Sequence, residues 1–191
     1  MVPRARLVLA SASPQRSAIL AELGVPFDVC PTDVAEETVG DPEHVVVVNA
    51  LRKARAARER LGSERPILGA DTEVFLDERI FGKPRDEAQA RRFLETLAGR
   101  THDVHSGLAV LEADGAEKTG VARSAVTFHP LDAAAIDGYL ATGEWRGRAG
   151  GYAVQGHGER LVAAIDGDYW NVVGLPTSLL LDMAPWLTAL P

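Results

Sequence analysis

An α/β fold with a mixed sheet and helices on its faces is the class this sequence predicts. Two observations carry it: strand-like apolar runs alternate with helical segments, and several of the runs are joined by tight hairpin turns. Alternation favours parallel strands with helical crossovers, whereas hairpins demand antiparallel neighbours, so the sheet is expected to be mixed. No internal repeat, low-complexity tract or linker-like stretch interrupts the pattern, and residues 1–191 read as one continuous unit.

Leu7-Val8-Leu9-Ala10 reads as a buried strand that runs into Ser11-Ala12-Ser13-Pro14-Gln15-Arg16. Ser13 suits a helix N-cap, Pro14 the first helical position, and Gly24 stops the helix after Leu23. Phe27-Asp28-Val29-Cys30 is a short strand. Asp41 and Pro42 open a long helix that ends at Leu61 before Gly62, with an apolar stripe of Val47, Ala50, Leu51, Ala54, Ala57 and Leu61. Lys53 falls at the edge of that stripe, free either to snorkel to solvent or to lean into a cleft. Pro66 to Asp71 reads as a buried strand and Thr72 to Leu76 as a half-exposed one. Asp77-Glu78 forms a hairpin tip, returning through Arg79-Ile80-Phe81 to the turn Gly82-Lys83-Pro84. A helix from Glu87 to Ala98 follows, buried through Ala90, Phe93, Leu94 and Leu97. Next come strands near Asp103–Leu111 and Val121–Phe128, a helix near Ala133–Leu140, and the loop Gly147-Arg148-Ala149-Gly150-Gly151. Strands at Leu161–Ile165 and Trp170–Val173 and a closing helix from Pro176 complete the order.

Composition narrows the function classes. The apolar fraction of 46% and charged fraction of 25% suit a soluble globular chain. A net charge of −7 argues against a broad nucleic-acid footprint, although a local basic pocket is compatible with it. Cys30 is the single cysteine, so neither a disulfide framework nor a cysteine metal cluster is expected. Arg4 and Arg6 precede an apolar run too short for a signal peptide, and no run is long enough to span a bilayer. A cytoplasmic protein without membrane partners is the expectation.

Several familiar motifs fail on spacing. Gly82-Lys83 is followed by Pro84, which rules out a Walker A loop, and Gly156-His157-Gly158 lacks the context of a dinucleotide fingerprint. His102 and His105 lie three apart in a strand, on opposite faces, and so are expected in the core or in solvent rather than on a shared metal. What remains is a set of polar residues at the ends of apolar runs: Asp71 and Thr72, Lys83, Gln155, Glu36 and Glu37, and Arg16 in the first turn of a helix. Each alone also suits a cap, a turn or a solvated position. Together, cations, acids and a helix N-terminus are what a nucleoside triphosphate with a divalent metal requires.

Those residues fall in motifs that resemble the Maf proteins, which are nucleoside triphosphate pyrophosphatases. The resemblance runs over nearly the whole length, through Leu9 to Arg16, Val34-Ala35-Glu36-Glu37, Lys53-Ala54, Leu68-Gly69-Ala70-Asp71-Thr72, Gly82-Lys83-Pro84 and Leu97-Ala98-Gly99. It continues through Ala149 to Gly156, Ile165 to Tyr169 and Val173-Gly174-Leu175-Pro176. The resemblance implies an elongated, two-lobed α/β fold related to inosine triphosphate pyrophosphatases, with a central cleft and often a homodimer. It implies hydrolysis between the α- and β-phosphates, with Asp71 as proton acceptor and Ser11, Arg16, Lys53 and Lys83 lining the phosphate site. Ser13 at the helix start is expected to help hold a phosphate group, and Glu36 to join Asp71 as ligand of a divalent cation such as Mg, Mn or Co.

Base choice is expected to rest on Gln15, Thr72 and Gln155. The branch acting on dTTP and UTP carries Arg, Thr and Gln at these places, so Thr72 and Gln155 fit it and Gln15 departs. The branch acting on 7-methyl-GTP carries Trp, Gln and Glu, which this chain lacks. Ser106 also departs, standing where threonine is often found. Two other readings stay open: a nucleotide-binding regulator of cell division without turnover, and a house-cleaning pyrophosphatase that reads inosine-type purines.

Overall fold

A computed structural model describes residues 6–62 and 65–187 of the chain; Arg4 lies outside them. The elements in order are β1 (Leu7–Leu9), α1 (Pro14–Glu22), β2 (Phe27–Val29), α2 (Pro42–Leu61), β3 (Ile67–Leu76), β4 (Arg79–Phe81) and α3 (Glu87–Leu97). They continue with β5 (Thr101–Leu111), β6 (Glu117–Phe128), α4 (Ala133–Thr142), β7 (Val162–Asp166), α5 (Tyr169–Val173) and α6 (Thr177–Met183). The strands form one sheet in the order β2-β1-β3-β5-β6-β7, with β4 also pairing β3. β1 runs parallel to β2 and β3, and the remaining pairs are antiparallel, so the sheet is mixed as the hairpins require.

One edge of β3 explains where a cleft opens. β1 pairs it only through Leu9↔Leu68, and β4 begins pairing at Val74↔Phe81. The stretch 69–73 between them therefore has no strand partner on that edge among the described residues, while β5 covers its other edge, including Asp71↔Gly107. The tip of the β3–β4 hairpin is Asp77-Glu78, at φ 49° and 61°, a two-residue turn with positive φ at both central positions.

Helix α2 lies against β3 and β5 at backbone distance. A Cβ on Gly69 would stand 2.1 Å from the Ala50 carbonyl oxygen, and one on Gly107 would stand 2.3 Å from the Val46 carbonyl. Only glycine permits that approach. Ala50, Ala54 and Ala57 fill the shallow layer with Val8, Ile67 and Ala109. On the opposite face Leu9, Leu20, Leu68, Leu108, Leu175 and Leu180 make a second core, and Val74, Leu94, Leu97, Phe128 and Tyr152 belong to a third.

Three expectations are corrected. The run Ile67 to Leu76 is one ten-residue strand, buried almost throughout, so Asp71 sits in mid-strand rather than at a strand end. The end that matters is that of β1, which leaves the β3 edge bare. Second, the stripe of α2 is rotated: Val45, Val46, Asn49, Ala50, Lys53, Ala54 and Ala57 are buried, whereas Leu61 is exposed. Close helix–sheet approach selects small residues there, and Asn49 and Lys53 go in because acids await them. Third, Trp170 to Val173 lies in the helix α5. Asp168 accepts a hydrogen bond from Trp170 N at 2.8 Å as an N-cap, and Gly174 (φ 125°) ends the turn.

Candidate active site

The first wall of the cleft is the start of α1. Ser13 Oγ accepts from the Arg16 backbone N–H at 3.4 Å and donates to Gln15 Oε1 at 3.2 Å, while Ser13 N donates to Ser11 Oγ at 3.2 Å. Capping brings the Arg16 side chain into the interior, where it is 8% exposed. Its guanidinium donates from Nε to the Gly174 carbonyl at 2.9 Å, from Nη1 to Ser11 Oγ at 2.9 Å and from Nη2 to Thr72 Oγ1 at 3.1 Å. All three acceptors are neutral. Burial pulls the Arg16 pKa below its ordinary value, and the nearby Asp71, Glu36 and Glu73 push it back up. Thr72 Oγ1 is further engaged with Ser106 Oγ at 2.7 Å, so this hydroxyl is held on several sides.

The second wall is acidic. Asp71, 4% exposed, accepts from Lys53 Nζ at 2.6 Å on Oδ1 and from Asn49 Nδ2 at 2.9 Å on Oδ2. Lys53 Nζ also pairs with Glu36 Oε1 at 2.5 Å. Asn49 closes a second loop of contacts: its Oδ1 accepts from Glu37 N at 2.7 Å and its Nδ2 donates to the Glu37 carbonyl at 2.9 Å. That clamp ties the segment carrying Glu36 to α2. Lys53 was expected at the edge of the stripe; it lies on the buried face, and its two carboxylate partners are what make a buried ammonium tolerable.

The sequence reading missed Asn49 and Glu73. Glu73 follows Asp71 by two residues on the same strand, so both point to the same face of β3. It is 8% exposed, and its Oε2 has no hydrogen-bond partner among the described residues. Burial, reinforced by the charges of Asp71 and Glu36 and opposed by Lys83 and Lys53, pushes its carboxyl from 4.5 up to about 8. A charged residue inside an apolar strand, in step with Asp71, was the signal available. One ligand oxygen each from Glu36, Asp71 and Glu73 lies within 4.8 Å of the others. An all-oxygen, carboxylate-rich set with one unsatisfied buried oxygen fits a hard divalent cation.

The two walls enclose a cleft of about 330 Å³, in the size range of small-molecule sites. Of the residues singled out from the sequence, Ser11, Ser13, Gln15, Arg16, Glu36, Lys53, Asp71, Thr72, Lys83 and Gln155 line it, whereas Glu37 turns to Arg52 instead. Lys83 and Gln155 are exposed at its rim, and Gln15 is half-buried. The histidines lie elsewhere. His102 Nε2 meets Tyr152 Oη at 2.8 Å and burial lowers its pKa to about 4, while His105 packs edge-on against Phe75.

A buried acid held between a lysine and an amide, facing a capped helix start and further cations, is the arrangement that a site for a polyanion reacting with water requires. The chain belongs to the Maf family: the model of the Maf-like protein family matches residues 6–185. A dTTP/UTP pyrophosphatase of Moorella thermoacetica is 48% identical over 174 residues, 90% of this chain and 89% of that protein. A dTTP/UTP pyrophosphatase of Bacillus cereus is 43% identical over 179 residues, 92% of each. Among solved structures, a nucleoside-triphosphatase / dITP/XTP pyrophosphatase from Mycobacterium abscessus aligns with a TM-score of 0.48 at 14% identity, covering 97% of this chain and 98% of that one.

Proposed function

We propose that this chain, acting as one catalytic unit, hydrolyses dTTP and UTP to the nucleoside monophosphate and pyrophosphate. The observation that carries the reading is Asp71, buried between Lys53 and Asn49 on the unpaired edge of β3, in the same cleft as Arg16. The names of the relatives supply the substrate class.

In this reading a water oxygen attacks the α-phosphorus, its proton passes to Asp71, and the α–β bridging bond breaks with its electron pair leaving on pyrophosphate. Lys53 and Asn49 hold the Asp71 carboxylate in position. Arg16, fixed by neutral acceptors, presents its charge to the phosphate chain without an acid in contact. The N–H groups at the start of α1 add to that field, with Ser11 and Ser13 shaping the turn. Glu36 and Asp71, with Glu73 as a third oxygen ligand, would hold a divalent cation. When bound, such a cation neutralises phosphate charge and lowers the pKa of the attacking water. Gln155, exposed at the rim, is the residue best free to meet the edge of a pyrimidine. Thr72, tied to Arg16 and Ser106, contributes to base choice mainly by fixing its neighbours.

The cytoplasm is the compartment we propose, and a homodimer the assembly. No helix among the described residues is long and apolar enough to cross a membrane. Light scattering on the purified chain decides the assembly. The decisive experiment is product analysis with dTTP, UTP, dITP and 7-methyl-GTP under one metal. Monophosphate and pyrophosphate from the pyrimidine nucleotides in preference to the others is the expected result. Binding without turnover points instead to a regulator, and a preference for dITP to a purine house-cleaning enzyme.

A further inference from the structure

We propose that Arg148 grips the β- and γ-phosphates of the substrate and, after cleavage, the departing pyrophosphate. The inference rests on the functional reading above and adds a residue to it. Arg148 lines the cleft and is half-buried, yet its guanidinium makes no hydrogen bond or ion pair among the described residues. The other described arginines without a side-chain partner, Arg85, Arg92 and Arg160, are exposed, where water serves them. A partly desolvated guanidinium with five donors and no acceptor is a poor structural element and a good anion receptor.

The charges around it do not satisfy it. Burial lowers its pKa, and the groups opposing that fall are Tyr139 and Glu144. Both are engaged elsewhere: Tyr139 Oη accepts from Ala153 N at 2.9 Å, and the Glu144 oxygens accept from His157 N at 3.1 Å and Gly158 N at 3.2 Å.

Position assigns the phosphate end, because the turn that carries Lys83 stands against the acidic set: a Cβ on Gly82 would lie 3.5 Å from Glu73 Oε2, and the Lys83 charge acts on Glu73. Gly150 N donates to the Gly82 carbonyl at 3.2 Å, which latches the Arg148 loop beside the turn that carries Lys83. Gly151 packs on Ala90 and Pro84, so the loop is seated on the start of α3. Lys83, which also lines the cleft and is exposed, likewise has no ion pair or side-chain hydrogen bond among the described residues. The buried cations are already used, Lys53 by Glu36 and Asp71, Arg16 by Ser11, Thr72 and Gly174. Lys83 and Arg148 are thus a pair of cleft cations with donors to give. A leaving pyrophosphate gains negative charge as the anhydride bond breaks, and a planar fork meets its oxygens in the bidentate manner a lysine lacks.

The test is calorimetric binding of magnesium pyrophosphate and, separately, of dTMP to the full chain, comparing wild type with Arg148→Ala, Arg148→Lys and Arg148→Gln. Loss of a charge-assisted contact is expected to weaken pyrophosphate by about tenfold or more in the Ala and Gln variants, less in the Lys variant, with dTMP held within about twofold. Arg148→Gln keeps bulk, so it decides the matter if the Ala variant melts early. Weakened dTMP with unchanged pyrophosphate would assign Arg148 to the nucleoside end and overturn the proposal, as would no change in either ligand. A wild type that turns over substrate yet binds no pyrophosphate overturns it too. A wild type that hydrolyses no triphosphate overturns the functional reading instead, and the binding comparison still reports on Arg148.

Discussion

The two ends of the cleft hold similar charges in opposite ways. At the buried end, Arg16, Lys53 and Asp71 are each less than a tenth exposed and each held by named partners. At the rim, Lys83 and Gln155 are exposed, and Arg148 has no hydrogen-bond or ion-pair partner among the described residues. Charge alone therefore does not define a role. The buried groups are held in place before substrate arrives, which is what stabilising a transition state requires. The rim groups are held by the backbone and left open, which suits groups that meet the ligand itself. Removing a residue from the first set should damage chemistry and fold together, and removing one from the second should damage binding alone.

The largest effect is expected at Asp71. Asp71→Asn keeps the shape and the Asn49 contact but removes the base, with a loss of ~10²–10⁴-fold in turnover and nucleotide binding largely retained. Single-turnover release of pyrophosphate, with metal and pH fixed, measures it. Turnover above about a tenth of wild type would remove Asp71 from the role of base.

The two lysines give the sharpest contrast. Lys53→Ala leaves the buried Asp71 without its cation beside Glu73 and the exposed Glu36, and breaking a buried pair costs about 3–5 kcal/mol. Both kcat and the melting temperature should fall. Lys83→Ala should raise KM and leave the melt unchanged, because the side chain is exposed and has no ion pair among the described residues. Equal melts for the two variants would erase the distinction between buried end and rim.

A third test uses pH. In the folded chain without metal, Glu73 keeps its proton up to about pH 8, whereas in the unfolded chain it releases it near 4.5. Between those values the native state binds more protons, so this residue makes stability fall as pH rises. In the presence of a chelator, Glu73→Gln should therefore lose less stability than wild type between pH 5 and pH 8, by roughly this one-proton slope. Parallel melting curves for the two proteins would mean that Glu73 titrates normally.

How much of this was legible follows the same division. Caps and stops wrote the helices directly: Ser13-Pro14 and Asp41-Pro42 start them, and Gly62 ends the second, because local hydrogen bonds decide those positions. The turn at Asp77-Glu78 was legible for the same reason. What misled was burial set by distant parts. Nothing local tells that Lys53 goes inward, since Asp71 lies eighteen residues away on another element. Glu73 lies in the run Thr72 to Leu76, whose alternation reads as a half-exposed strand, and the run Trp170 to Val173 is too short for periodicity to separate a strand from one helical turn. The resemblance gathered Ser11, Arg16, Lys53, Asp71 and Lys83 into one set, and all five line one cleft. It was silent on Asn49, whose contacts run to Asp71 and Glu37, and on Arg148.

The smallest effect is expected at Gln15, on the rim side of α1. Its Oε1 accepts from Ser13 Oγ, so the side chain is tied to the cap rather than aimed by a partner across the cleft. An arginine there, as in the dTTP- and UTP-acting branch, would exchange one acceptor for several donors beside the cleft. Two consequences separate by measurement. If position 15 meets the base, Gln15→Arg should raise kcat/KM for dTTP and UTP relative to 7-methyl-GTP by about 2–10-fold, the worth of one added hydrogen bond. If it meets only phosphate, kcat/KM should rise for all triphosphates alike and the ratio stay fixed, because phosphates are common to every substrate. The first outcome is expected, since Arg16 already supplies a buried guanidinium at the same helix start. A fixed ratio would move Gln15 to the phosphate group and leave Gln155 to read the base.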